Sequence, residues 1–283
     1  MVASPASWCF AEGDPITAEL TAVRRLGGGS AYEAYLAFDE VTYAPVVVKV
    51  VRPDQVADEH ALRGLVREVQ ALATVNHPVV VRGLRHDLTS GRPHVVLEHI
   101  DGPRLSTLVR RYGPLQEQQY LPLAIELASA LHYLRRLGWA HLDVKPSNVI
   151  MGAPARLIDL SVARPLADAA RTRLIGTDAY MSPEQADPDR YGGPGPASDV
   201  WGVCATVFEA VAGYRAFDGP GFPQLDEEPF ELPERTPAEV VKILYAGLER
   251  RPADRPLPHE VAEALEPVLD RQPAVRLGGF ETR

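Results

Sequence analysis

Two aspartates, a lysine and an asparagine fall close together near the middle of the chain. Asp143, Lys145 and Asn148 lie within one short loop, and Asp159 ends the next apolar run. Carboxylate and amide oxygens are hard donors, and Mg²⁺ takes such ligands while sharing them with substrate phosphates. The flanking runs Val149-Ile-Met and Arg156-Leu-Ile read as two short strands joined by Gly152-Ala-Pro, a hairpin with turn chemistry. A hairpin flanked by two carboxylates and an amide suits a hard cation. A polar loop beside a core hairpin would have the same composition.

His141-Leu-Asp-Val-Lys-Pro-Ser-Asn148 resembles the catalytic loop of protein kinases, H-R-D-x-x-x-x-N, and Asp159-Leu-Ser161 resembles the metal-binding D-F-G that follows it. The resemblance implies ATP as phosphoryl donor. It implies Asp143 as the base that accepts the substrate hydroxyl proton, and Asn148 and Asp159 as Mg²⁺ ligands. Lys145, in the D-x-K-P form, marks the serine/threonine branch and would contact the γ-phosphate.

Upstream, Leu20-Thr-Ala-Val-Arg-Arg-Leu26 reads as a strand that runs into Gly27-Gly-Gly-Ser-Ala-Tyr-Glu-Ala-Tyr35. A glycine-rich turn lets backbone N–H groups approach phosphate oxygens, although alone it is equally a plain turn. It precedes Val46-Val-Val-Lys49, which resembles the kinase strand carrying the ATP-binding lysine. Gly27 and Gly29 match the first two glycines of G-x-G-x-x-G-x-V; Tyr32 replaces the third and Ala34 the valine. Val47 stands where the family has alanine. The two residues have exchanged sizes with summed volume kept, which cores tolerate, so the adenine pocket is expected to close, with Ile150 as its floor. The resemblance implies nucleotide contacts from Leu26, Gly27, Gly28, Gly29, Ser30, Ala34, Val47 and Lys49. Leu97 would guard the back of the pocket, and Glu98 and Ile100 would belong to the hinge whose backbone binds adenine.

Apolar residues at Leu62, Leu65, Val69 and Leu72 predict a helix over 60–75, ended by Asn76-His-Pro. By themselves, Lys49 is a snorkelling lysine on a strand edge and Glu68 one more solvated glutamate; the resemblance pairs them. Val79-Val-Val-Arg82 and His94-Val-Val-Leu-Glu98 read as further strands, making five strands and one helix. Residues 1–19, with small residues and two prolines, are expected to be a loosely packed lead-in onto which Trp8 and Phe10 could dock.

Downstream the chain turns helical. A short helix is expected from Leu105 to Arg111, and a long one from Gln116 to Leu137 with Leu121, Ile125, Ala128 and Leu131 on its apolar face. Ser198 to Gly213 is mostly apolar and should be a central helix. Gly176-Thr177 through Ser182-Pro-Glu184 resembles the kinase segment ending in A-P-E. The resemblance implies that Thr177 braces Asp143 and Lys145, that Asp199 anchors the catalytic-loop backbone, and that Arg255 pairs with Glu184. Between Phe217 and Pro233 the family has a docking helix, but Pro220, Pro223, Pro229 and Pro233 make one improbable here.

The fold expected is α+β, a bilobal protein-kinase fold: a lead-in at 1–19, a small antiparallel β-sheet lobe with one helix at 20–98, a large mainly α-helical lobe at 99–268, and a tail at 269–283. Composition agrees, at 46% apolar and 24% charged. A net charge of −9 argues against a general nucleic-acid binder. No apolar run of about 18 residues predicts a membrane span, and no signal peptide is expected at Met1, so a cytoplasmic location is expected. Of the two cysteines, Cys204 is expected to be a buried free thiol. The function expected is a serine/threonine protein kinase acting on proteins, itself included. The alternative is a pseudokinase scaffold, for which Tyr32, Leu142 and Asp159-Leu-Ser speak; a small-molecule kinase would lack the distal arginine partner. Arg104 and Ser147 stand where arginine-reading kinases carry acids, so no preference for upstream basic residues is expected. Leu142 replaces the arginine that receives an activating phosphate in many kinases, so activity is expected without phosphorylation of the segment after Asp159.

Overall fold

The computed structural model describes residues 6–273, together with the strand pairing of 276–277 with 280–281. Residues 1–5 of the lead-in and residues 274–275, 278–279 and 282–283 of the expected tail lie outside the described residues. The chain divides into two compact units. The first takes the residues up to 76, then 80–101 and 159–162; the second takes 77–79, 102–158 and the chain from 163 onward.

The first unit is built on a five-stranded antiparallel sheet of β1 (Leu20–Gly28), β2 (Tyr32–Asp39), β3 (Ala44–Val51), β4 (Gly83–Asp87) and β5 (His94–Glu98), in the order β1-β2-β3-β5-β4. Strand side chains alternate between faces. Tyr35, Ala37, Val46, Val48, Val50 and Val96 point to one side and form a core with Leu20, Ala22 and Ile16. The register sets Ala34 opposite Lys49, and Leu36 opposite Val47, on the other side. Helix α1 (Glu59–Thr74) starts at Asp58, whose carboxylate accepts from the Ala61 N–H at 2.7 Å. Its buried residues, Ala61, Gly64, Leu65, Glu68, Ala71 and Leu72, recur at helical spacing.

Two expectations are corrected here. Residues 6–19 are not loosely packed. Ile16 is fully buried, Pro15 bridges Thr21, and Trp8 and Phe10 pack on the core. The physical reason is that this face of the sheet carries no helix of its own unit, and the lead-in covers it. The fourth strand is Gly83–Asp87, not Val79–Arg82. Val79, Val80 and Val81 are buried without belonging to a strand, and a short apolar run does not by itself distinguish a strand from other buried backbone.

The second unit holds α2 (Leu105–Tyr112) and α3 (Glu117–Arg136), the short pairs β6 (Trp139–Ala140) with β9 (Arg164–Pro165) and β7 (Val149–Ile150) with β8 (Arg156–Leu157), and the short helices α4 (Leu166–Ala169), α5 (Pro183–Ala186) and α6 (Pro188–Tyr191). Then come α7 (Pro196–Ala212), α8 (Ala238–Gly247), α9 (Pro258–Asp270) and the pair β10 (Arg276–Leu277) with β11 (Phe280–Glu281). Helix α7 is buried on nearly every side and ends at Gly213 in the left-handed conformation. Its Cys204 is a free thiol that burial pushes up to about 12. Helix α3 buries Leu121, Ala124, Ala128 and Leu131, while Ile125 is only half-buried. Between Phe217 and Pro233 there is a single short turn of 3₁₀ helix at Pro223–Leu225, as its prolines require.

Candidate active site

In the second unit, β6 delivers the chain into the loop at 141–148. The Asp199 carboxylate at the start of α7 accepts from the backbone N–H of His141 at 2.8 Å and of Leu142 at 2.7 Å. Burial pushes Asp199 up to about 7, against those two donors. Leu142 has φ 64°, an unusual backbone for a branched residue. It is fixed from both sides, because its carbonyl accepts from Gln185 Nε2 at 2.8 Å. This pinned turn aims Asp143. Lys145 Nζ donates to Asp143 Oδ2 at 2.6 Å and to Thr177 Oγ1 at 2.5 Å, and Thr177 Oγ1 donates to Asp143 Oδ1 at 2.8 Å. Asn148 Nδ2 donates to the Asp143 carbonyl and to Oδ2, each at 3.0 Å. Asp143, Lys145, Asn148 and Thr177 therefore form one hydrogen-bonded group. Ile150 is half-buried on β7, two residues beyond it.

In the first unit, Lys49 Nζ reaches Glu68 Oε2 at 2.8 Å and Asp159 Oδ1 at 2.9 Å. Burial works to strip the Lys49 proton, but the two carboxylates outweigh it and hold its pKa above the usual lysine range. Asp159 is shifted the other way: the Lys49 charge overcomes its burial and keeps it below the usual carboxylate range. Asp159 has φ 69° and also accepts from the Ser161 N–H at 3.3 Å. Ala34 and Val47 are half-buried on the sheet face that carries Lys49, and Leu97 is buried at the end of β5. Glu98 and Ile100 are half-buried beyond it; Leu26 and Gly27 are half-buried, and Gly28, Gly29 and Ser30 are exposed. The turn closes with the Gly29 N–H donating to the Tyr32 carbonyl at 3.0 Å. Gly28 has φ 155°, and a Cβ there would meet the Tyr32 carbonyl oxygen at 2.5 Å, so no larger residue fits.

Glu184 and Arg255 make a buried two-pronged ion pair at 2.7 and 2.8 Å, and Ser198 Oγ adds a donor to Glu184 at 2.7 Å. Three further residues carry the arrangement without a motif to announce them. Gln185 Nε2 ties the Leu142 carbonyl to that of Ile175, each at 2.8 Å. Gln224 Nε2 donates to the carbonyls of Asp178 and Met181. Arg52 Nε holds the Gly29 carbonyl at 2.7 Å, and its Nη1 holds that of Ala6 at 2.7 Å. Their partners are backbone carbonyls brought close only by the fold. The one sequence signal was the amide or guanidinium type itself at a position that becomes buried.

The family model described as protein kinase domain matches residues 20–279. The chain is similar to the probable serine/threonine-protein kinase PkwA of Thermomonospora curvata, 35% identical over 251 residues that make up 86% of this chain and 33% of that protein. It is also similar to the serine/threonine-protein kinase PknB of Mycobacterium leprae, 29% identical across 81% of this chain and 39% of the relative. Against the serine/threonine-protein kinase PknK of Mycobacterium tuberculosis it is 31% identical across 88% of this chain and 23% of the relative. The chain thus spans between 23% and 39% of the length of these relatives. An antiparallel sheet unit followed by a helical one is the bilobal arrangement of that family. With the match running over nearly its whole length, the chain belongs to the protein kinase domain family.

Proposed function

We propose that the chain transfers the γ-phosphoryl group of ATP to serine or threonine hydroxyls of proteins. The observation that carries the reading is the Asp143 carboxylate, held by Lys145, Thr177 and Asn148 on a loop gripped by Asp199. A base for this chemistry must be fixed in place before the substrate hydroxyl arrives. Phosphoryl transfer asks little covalent chemistry of a protein, so positioning and charge supply most of the rate. Lys49, oriented by Glu68, and Lys145 are assigned to the phosphates. Leu26, Gly27, Gly28, Gly29, Ser30, Ala34, Val47, Leu97, Glu98, Ile100 and Ile150 are assigned to the rest of the nucleotide.

Membership of the family brings ATP and a divalent metal ion as usual reactants. We assign the ion as Mg²⁺, with Asn148 and Asp159 as the residues that would hold it. Their amide and carboxylate oxygens are the hard donors it prefers, and it shares the remaining positions with water and phosphate. Bound there, it would neutralise phosphate charge. No helix among the described residues is long and apolar enough to cross a membrane; a cytoplasmic location and self-phosphorylation are part of the proposal. No charge that this chemistry uses is missing, which leaves the scaffold reading without a favouring observation. The test is transfer of labelled γ-phosphate to the chain itself and to a generic protein, with Asp143→Asn alongside. Transfer that persists undiminished in that variant, from protein freed of other kinases, overturns the reading.

A further inference from the structure

Tyr32 is the largest departure of the glycine-rich turn, a phenol where the family pattern has its third glycine. It opens β2 opposite Val51, two residues before Ala34 of the Ala34–Lys49 pair and so on the same face of the sheet. From there its ring lies beneath the Lys49 ammonium, 5.0 Å from Nζ. The hydroxyl passes on to α1 and donates to the Ala61 carbonyl at 2.5 Å. Burial pushes its pKa up to about 12, so it remains a donor at every pH near neutrality.

Helix α1 carries a matching irregularity. Gly64 lies in the middle of its 16 residues, where glycine costs about 1 kcal/mol relative to alanine. Its backbone does not have the positive φ that would call for glycine. The reason is space: a Cβ at Gly64 would collide with the Tyr32 hydroxyl, whereas the ring carbon Cζ lies at 3.7 Å, an ordinary contact. Ala61, Gly64 and Glu68 are spaced three and four apart, so they share one face of the helix. The residue too large for its motif and the residue too small for its helix therefore fit each other.

We propose that Tyr32 is a positioning residue for the transfer reaction: through Ala61 and Gly64 it fixes the rotation of α1 so that Glu68 is already paired with Lys49 before nucleotide arrives. The role rests on the kinase reading of Lys49 and Glu68. An ion pair alone attaches the helix at one point and allows it to swing. The phenol adds a second point one to two turns away, on the same face, and α1 cannot turn without breaking both.

Hydrogen exchange of the α1 amides in the full chain without nucleotide tests the tether, in the parent, Tyr32→Phe, Gly64→Ala and the double variant. Phenylalanine keeps the ring and removes only the donor, so α1 exchange is expected to rise by about tenfold while α3 and α7 do not change. Gly64→Ala is expected to accelerate α1 exchange likewise in the tyrosine background. In the phenylalanine background it is expected to slow α1 exchange instead, because the atom its Cβ meets is gone and alanine is the better helix former. In phosphoryl transfer, kcat should fall in Tyr32→Phe and in Gly64→Ala at unchanged KM for the protein substrate, and the double variant should be no slower than Tyr32→Phe. Parent-like α1 exchange in Tyr32→Phe, or an equal Gly64→Ala effect in both backgrounds, overturns the assignment. A parent that protects α1 in this coupled way but transfers no phosphate would overturn the kinase reading and leave the tether standing.

Discussion

At the scale of single residues, Asp143 is held by partners that also bond each other, whereas Lys49 is the cation that two carboxylates share. In Asp143→Asn, Lys145 and Thr177 keep their bond to each other; in Lys49→Met, Glu68 and Asp159 lose their shared cation. Both variants are expected to lower phosphoryl transfer by about 10²–10³ or more, the scale seen for loss of one group acting at the developing charge. Circular dichroism should show both still folded; parent-like rates in either would contradict its assigned role. Glu184–Arg255 is a different kind of pair. Its side chains are 1% and 0% exposed. Arg255→Ala strands a buried carboxylate and should cost about 3–5 kcal/mol in urea unfolding, whereas joint replacement by apolar residues of similar volume should recover most of it. These residues were legible in the sequence because their types recur at fixed spacing in motifs. Gln185, Gln224 and Arg52 were not, since a hydrogen bond to a distant carbonyl leaves no spacing to read.

The elements tell which parts of the chain are held and by what. The segment after Asp159 is anchored by packing: Leu142, Ala140 and Ala169 form a buried cluster against Leu166 and Ile175. Arg173 is already paired with Asp189, with two contacts at 2.7 Å, and the Thr172 hydroxyl donates to the Ala169 carbonyl at the end of α4. A phosphate on Thr172 would have to break both arrangements. Thr172→Ala is therefore expected to keep the parent rate within a factor of about three when both are freshly dephosphorylated, the cost of one half-buried hydrogen bond. A loss of about tenfold, with parent activity recovering on autophosphorylation, would make this segment a switch. The lead-in was illegible for the opposite reason. Small residues and prolines predict looseness, but the buried Glu33 needs donors, and Ser7 Oγ and the Trp8 N–H supply them at 2.6 and 2.9 Å. Arg52 links this segment to the Gly29 carbonyl. Deleting residues 1–13 should raise the KM for ATP and lower the unfolding midpoint together; a truncated chain with parent KM would show that the turn is set without the lead-in.

At the scale of the whole molecule, acids outnumber bases, 38 to 29, and acid stability depends on which carboxylates the fold has shifted. Asp39 is the clearest case. It is fully buried at the end of β2, and the Arg85 guanidinium grips it at 2.7 and 2.5 Å, with Thr42 and the Val41 N–H as further donors. The Arg85 fork holds its carboxyl well below the usual carboxylate range. The two partners are 46 residues apart, so nothing in the local sequence announces the pair; five strands were legible, but Arg85 lies on Gly83–Asp87, the strand that the apolar run at 79–82 misplaced. The sign of the pH effect follows. Between the folded and unfolded pKa values the unfolded chain binds more protons, so stability rises with pH there. The contribution is fully present above the unfolded value of about 3.9 and is lost as pH falls through the folded value. Asp39→Asn removes the titration and leaves Arg85 with a neutral partner. Its urea midpoint should lie below the parent's near neutral pH, and the gap should narrow steadily from about pH 4 toward about pH 2, where the parent is losing the same charge. A gap that stays constant over that range would mean that the substitution acts through packing of the β2–β3 turn and not through the charge.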